Sequence, residues 1–223
     1  VKSMMDLYDS YDPDLLDEAR AAAKPPWYRA YGLKELGYVD VETEAVQVHQ
    51  FLPVDLPGLL QTEAHARALF RANGGLRQQD MDNGVAVRLI RKERLMVSEQ
   101  PLELVAVVYE AALRRNVGGP SVAREQLRHL VEMAKLSTVT LQVLPLDGSS
   151  LLVPNATFIL LGFPEPEDPE LLYVEHPVGS LHIEKPEQVK AARLMFDQLR
   201  ANALSPDHSV ALIEQLARNL DGP

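Results

Sequence analysis

The sequence predicts an α+β (mixed α/β) chain. The expected order is a helical N-terminal half, a strand–helix–strand unit, and a mixed four- to five-stranded sheet covered by C-terminal helices. Three observations carry this. Before Pro101, apolar residues recur at helical spacing, as in Val85, Leu89 and Leu95. After it, residues 102–109 read Leu-Glu-Leu-Val-Ala-Val-Val-Tyr, a β-branched run suited to a strand buried on both faces, with a helix start as the competing reading. Residues 138–144 then set Val139, Leu141 and Val143 against Thr140, Gln142 and Leu144, the period-2 pattern of a second strand.

In chain order, residues 3–23 predict one or two short helices around Asp12-Pro13, with Asp12 as N-cap and Pro13 as first helical residue. Leu15, Leu16, Ala19 and Ala22 form a narrow apolar face that ends at Lys24-Pro25-Pro26. Trp27 and Tyr28 follow, either as a packing anchor or as an exposed partner hot spot. Residues 40–51 are expected to be helical, with Val41, Ala45, Val48 and Leu52 on one side. Residues 51–62 hold two prolines and a glycine among apolar residues, which makes a rigid, buried turn. Thr62 caps the next helix, which runs to about Arg71 and stops at Asn73-Gly74-Gly75. Residues 78–97 form another helix.

In the second half, residues 110–115 lead into a Gly118-Gly119-Pro120 turn, and residues 121–135 make an amphipathic helix with Val122, Leu127, Leu130, Val131 and Ala134 inward. The stretch 102–144 has the length of a βαβ crossover, so its strands should be parallel and the crossover right-handed. Residues 157–163, 171–175 and 180–184 are further strands. The acidic, proline-rich residues 164–169 make an exposed hairpin tip. Helices at 186–200 and, capped by Ser205-Pro206, at 206–220 should cover one face of the sheet.

Composition narrows the function. A chain of 223 residues with 46% hydrophobic and 24% charged residues can bury a core. A net charge of −10 argues against nucleic-acid binding by this chain alone. The most basic stretch, residues 88–94, is read as a solvated helix face, with phosphate contact as the lesser reading. Without cysteine there is no thiolate zinc site, disulfide or cysteine nucleophile. No apolar window reaches the ~20 residues of a spanning helix, so no membrane partner is expected.

Catalytic motifs are missing as well: no P-loop, Gly-x-Ser-x-Gly, His-Glu-x-x-His or Gly-x-Gly-x-x-Gly occurs. Gly118-Gly119 and Ser149-Ser150 read as turns, and His176 and His182 as strand-end polar groups rather than metal ligands. The polar groups of greatest interest are Glu110 and Glu175, each expected at the C-terminal end of a strand, where open α/β sheets bind ligands. Arg114 and Arg115 lie a turn beyond Glu110. The four could hold a zwitterionic ligand or a partner's charged chain, or form an internal ion-pair network.

Several segments, in order, resemble the long C-terminal domain (DUF5753) of actinobacterial regulators that carry an Xre-type helix-turn-helix, including Scr-type antitoxin-like and WhiJ-like regulators. They are Met4-Met-Asp-Leu-Tyr8 with Asp12-Pro13, Trp27-Tyr28-Arg-Ala-Tyr31, Val41-Glu42-Thr-Glu44-Ala45 and, most specifically, Leu56-Pro57-Gly58-Leu59-Leu60-Gln61-Thr62. Arg88-Leu-Ile-Arg91-Lys92-Glu-Arg94-Leu95, Glu110-Ala-Ala-Leu113-Arg114-Arg115, Gly118-Gly119-Pro120 and Leu141-Gln-Val-Leu144-Pro145 continue the match. Lys92 departs from the glutamine usual there.

The resemblance implies that residues 1–26 are a segment following a helix-turn-helix domain absent here, and that residues 27–223 form one sensor or partner-binding domain, helical over 27–100 and sheet-containing over 101–223. It implies a cytoplasmic, non-enzymatic regulatory domain with a small DUF397-type protein as partner and no cofactor. Small-molecule sensing is the alternative, and a hydrolase of unrecognised type a lesser one. A homodimer is a further expectation, since helix-turn-helix regulators bind paired half-sites. The candidate partner- or ligand-binding residues are Glu110, Arg114, Arg115, Glu175, Trp27, Tyr28 and Gln61.

Overall fold

The strand built from Val-, Leu- and Ala-rich residues 103–109 organises the molecule, because a strand with apolar side chains on both faces must be covered on both. The computed structural model describes residues 1–32, 37–72, 74–97, 99–147, 153–165, 167–176 and 178–220. The helices and strands run α1 (Lys2–Leu7), α2 (Pro13–Ala22), α3 (Gly37–Glu44), β1 (Gln47–Leu52), α4 (Glu63–Ala72), α5 (Gln78–Glu93), β2 (Glu103–Tyr109), α6 (Glu110–Leu113), α7 (Pro120–Met133), β3 (Val139–Leu144), β4 (Phe158–Gly162), β5 (Leu171–His176), β6 (Gly179–Ile183), α8 (Pro186–Asn202) and α9 (Pro206–Asn219). Short 3-10 turns occupy Trp27–Tyr31 and Gly58–Leu60.

One mixed sheet has the order β3-β2-β1-β4-β5-β6. Strands β1, β2 and β3 are parallel, and β4, β5 and β6 continue the sheet antiparallel. The expected parallel pair of strands across 102–144 is present as β2 and β3. Expected caps are also in place: the His65 N–H donates to Thr62 Oγ1 (3.2 Å), and the His208 N–H to Ser205 Oγ (3.3 Å).

Among the described residues the sheet holds six strands, because the helix expected over 40–51 splits into α3 and β1. The residues that suggested a helix, Val41, Ala45, Val48 and Leu52, are spaced by three or four. The last two, four apart, also share one face of a strand, so the spacing does not discriminate. Pairing decides it: β1 lies at the centre of the sheet between β2 and β4, and Phe51 faces the side opposite Val48 and Leu52.

The C-terminal helices do not share a face. From α8, Val189, Phe196 and Leu199 pack on Phe51, Val107, Phe158 and Leu160. From α9, Ile213, Leu216 and Ala217 join the opposite face, where α7 and the Gly58–Leu60 turn cover Val48, Ala106 and Leu141. The connection between them passes round the outer edge of β3. There the Leu204 N–H donates to the Val143 carbonyl (2.8 Å) and the Val143 N–H donates to Ser209 Oγ (2.9 Å), so the edge strand is closed by the chain itself.

Candidate functional site

The C-terminal ends of β1 and β2 open onto the 53–62 turn and the N-terminus of α4. Prolines 53 and 57 fix the turn, and buried glutamines satisfy its backbone. Gln126 of α7 accepts from the Thr62 N–H (2.7 Å) and donates to the Leu60 carbonyl (2.7 Å). Gln61 donates to the Leu56 carbonyl (2.8 Å), and its Oε1 accepts from Arg88 Nη1 (2.5 Å). The turn is largely buried from Leu56 on, with Val54 and Asp55 exposed, and Gln61 is its link to α5.

The arginines of α5 do not form a solvated face. Arg91 is buried and donates through Nε (2.7 Å) and Nη2 (2.5 Å) to the two carboxylate oxygens of buried Glu42, with its guanidinium over Tyr38. Arg94 donates to the carbonyls of Glu42 and Ala45. Met81, Val85, Arg88, Arg91 and Leu95 lie three or four residues apart, so the cations share the apolar stripe. That alignment was the available signal of burial; charge density alone hid it.

Arg88 differs from Arg91. Its guanidinium lies over the Phe70 ring, 5.0 Å from the centroid, and its one hydrogen bond is to Gln61. Among the described residues, no carboxylate lies within ion-pair distance of it. Burial, then the Arg91 charge, push its pKa down to about 10, against the more distant Glu175, Asp55 and Glu42. Beside it, buried His65 has no partner for Nδ1, and burial with the Arg88 charge lowers its pKa to about 4. The Gln50 amide nitrogen is also buried and unpartnered, on the same sheet face by alternation with Val48 and Leu52.

The residues expected to form the site are scattered. Glu110 is buried at the start of α6, where Arg114 Nε (2.8 Å) and the Leu146 N–H (2.9 Å) donate to its two oxygens. It ties α6 to the turn after β3, an internal network. Glu175 is exposed at the end of β5, three strands away, roughly 14 Å by strand spacing. Neither glutamate lines the concavity beside Gln47 or the one beside His129. Arg115 donates to the Val54 carbonyl (2.6 Å) and to Asp55 (2.6 Å) at the turn. Tyr28 is buried and donates to Asp40 (2.6 Å), and Trp27 donates to Thr43 (3.2 Å), so both anchor the segment before α3.

His182 packs edge-on to Tyr173 and is not the cross-strand partner of His176. No group of three or more metal-ligating side chains occurs among the described residues. Ser149 and Ser150 lie outside the described residues. Two concavities lie elsewhere. One, of about 280 Å³, sits at the opposite strand ends beside Gln47 and Glu103. The other, of about 520 Å³, lies between α7 and α9 beside His129 and is lined by charges of both signs. Volume and the Arg88 chemistry do not coincide: the half-buried Arg88 lines neither concavity. No helix among the described residues is long and apolar enough to cross a membrane.

These features define a class: an open mixed-sheet α+β domain with polar groups buried between the sheet and one helical layer. The chain belongs to the DUF5753 family, described as "Domain of unknown function (DUF5753)", which matches residues 37–215. No curated protein and no solved structure matches it.

Proposed function

We propose that this chain is the regulatory, non-catalytic part of a cytoplasmic transcription regulator and that it works by holding a partner protein. The observation that supports this is the surface of residues 1–15. Met4, Leu7, Tyr8, Tyr11 and Leu15 are all exposed there, with Leu7 at 76% and Tyr8 at 73%. So many large apolar side chains on a short segment mark a contact surface. Helices of 6 and 10 residues are also too short to be stable without packing. Asp6, Asp9, Asp12, Asp14 and Asp17 border the apolar residues, which suits an amphipathic partner with basic edges. The resemblance to Xre-type regulators supplies a candidate, the small DUF397-type protein.

Light scattering coupled to size exclusion, on the chain alone and mixed with that protein, tests the reading. A mixed complex at micromolar concentration, lost on Leu7→Asp with Tyr8→Asp, is the expected result. A chain that stays alone, or that only forms a homodimer, overturns the assignment of the partner.

One observation favours a second reading, small-molecule sensing: the half-buried Arg88 guanidinium has no carboxylate at ion-pair distance, and Nδ1 of the buried His65 has no partner. Thermal shift across a metabolite library tests it, and a flat response sinks it.

A further inference from the structure

The two edges of the sheet end differently. The β3 edge is sealed by the chain's own Leu204 and Ser209. Strand β6 forms the other edge, and among the described residues no strand or backbone group pairs with its outer side. Natural edge strands are commonly guarded by lysine, proline or a bulge. Residues Gly179–Ile183 include no proline and no Asp, Glu, Lys or Arg, and their register with β5 runs unbroken from Leu172–Ile183 to His176–Gly179. The side chains sort by face. Leu181 and Ile183 lie on the α8 side, where Val174 and Ile183 pack on the apolar cluster while Leu181 stays 52% exposed. Ser180 and His182 lie on the other side, with His182 edge-on to Tyr173.

We propose that β6 is a docking edge for a second copy of this chain, whose own β6 pairs with it antiparallel about a two-fold axis, so that the two sheets become one. The side-chain pattern selects a copy over an unrelated strand. A two-fold axis sets one residue opposite its own counterpart, so odd-numbered residues meet only odd ones and even-numbered only even. Leu181 and Ile183 then face leucine, isoleucine or Gly179, and Ser180 and His182 face uncharged or imidazole side chains. With the axis anywhere in residues 180–182, Glu184 faces His176, Val178 or Ser180 of the copy and never a glutamate. Charge points the same way. Each copy carries a net −10, so two copies approach best where neither presents a carboxylate, and Gly179–Ile183 has none. A strand of 5 residues makes a small interface, below the ~1,000 Å² of a standard one, so the dimer is weak and concentration-dependent. It uses none of residues 1–15 and is independent of the partner assigned to them.

The test is sedimentation equilibrium on the full chain from about 5 to about 500 μM, the range in which a weak dimer dissociates, with single-cysteine variants to locate the contact. The expected result is a reversible monomer–dimer equilibrium. Leu181→Lys, which guards the edge in the usual way, should weaken it on the order of tenfold or more with an unchanged circular dichroism spectrum. The chain has no cysteine, so Ser180→Cys, Leu181→Cys and His182→Cys each report one position. The one on the axis meets its own copy and should oxidise to a disulfide-linked dimer faster than Ala201→Cys, an exposed position on α8. A chain that is monomeric throughout the range overturns the proposal. So does a dimer kept in Leu181→Lys, or one in which Ala201→Cys oxidises as fast as all three edge variants. A dimer lost on Leu7→Asp with Tyr8→Asp but kept in Leu181→Lys places self-association at residues 1–15 and overturns it as well.

Discussion

The two faces of the sheet are covered by different means. On one, α8 lays Val189, Phe196 and Leu199 on Phe51, Phe158 and Leu160, and the polar contacts include Arg193 with Glu170 and with His49 Nδ1 (3.2 Å), and Arg200 Nε with Oε1 of buried Gln142 (3.0 Å). On the other, apolar residues of α7, α9 and the 58–60 turn share the layer with buried Glu42, Arg91, Gln61, His65 and Gln126. An apolar cover holds a sheet at little risk. A polar one demands that each group find a partner, so groups left without one stand out. His65 Nδ1 and the Gln50 amide nitrogen stand out there because Glu42, Arg91, Gln61 and Gln126 around them are paired.

The largest effect that sharpens this contrast is at Glu42. Glu42→Ala leaves the Arg91 charge buried and alone, so the chain should lose about 3–5 kcal/mol in urea unfolding. Adding Arg91→Met should recover most of that loss. No recovery would mean that Glu42 acts by packing, and the polar layer would then differ little from the apolar one.

A second, smaller effect comes from one histidine on each face. His49 and His65 both have pKa values lowered to about 4 from 6.5, each chiefly by burial, with Arg193 and Arg200 acting on His49 and Arg88 on His65. The unfolded chain binds more protons between those values. Their contribution is therefore whole above pH 6.5, shrinks as pH falls, and is gone below about pH 4, a change of up to about 3 kcal/mol for each. His49→Phe, which keeps the edge-on contact with Phe196, should remove its share of the pH dependence and leave that of His65. An unchanged slope in urea unfolding between pH 7 and 4.5 would refute the assignment.

The smallest effect has the opposite sign. Arg88→Met should leave stability within about 1 kcal/mol of the starting protein or raise it, because it removes a charge that nothing neutralises. A loss as large as that of Glu42→Ala would show Arg88 to be a structural part of the layer.

The apolar architecture was legible in the residues, and the polar site was not. Residues 102–109 and 138–144 declare β2 and β3 by branching and alternation, and Ser205 and Thr62 declare their helices by capping. Strand β1 was hidden because Gln47, His49 and Gln50 are polar in a strand central to the sheet. Sequence singled out Gln61 and Arg115, which each bond at the 53–62 turn, Gln61 to Arg88 and Arg115 to Asp55. It also singled out Glu110 and Glu175, correctly near strand ends, but strand order across the sheet sets their separation, and no local pattern carries strand order. His65 carries no local mark at all. Only its burial beside Arg88 makes it informative.

The closure of β3 also bears on how the protein is made. Val143 and its seal at Ser209 are 66 residues apart in the chain. At translation rates of about 5–20 residues per second, the outer edge of β3 waits several seconds for its cover after it leaves the ribosome. During that interval it is an open template for strands of neighbouring nascent chains. The sheet is thus most vulnerable to mispairing during synthesis, and a translational pause within residues 145–203 would lengthen that exposure.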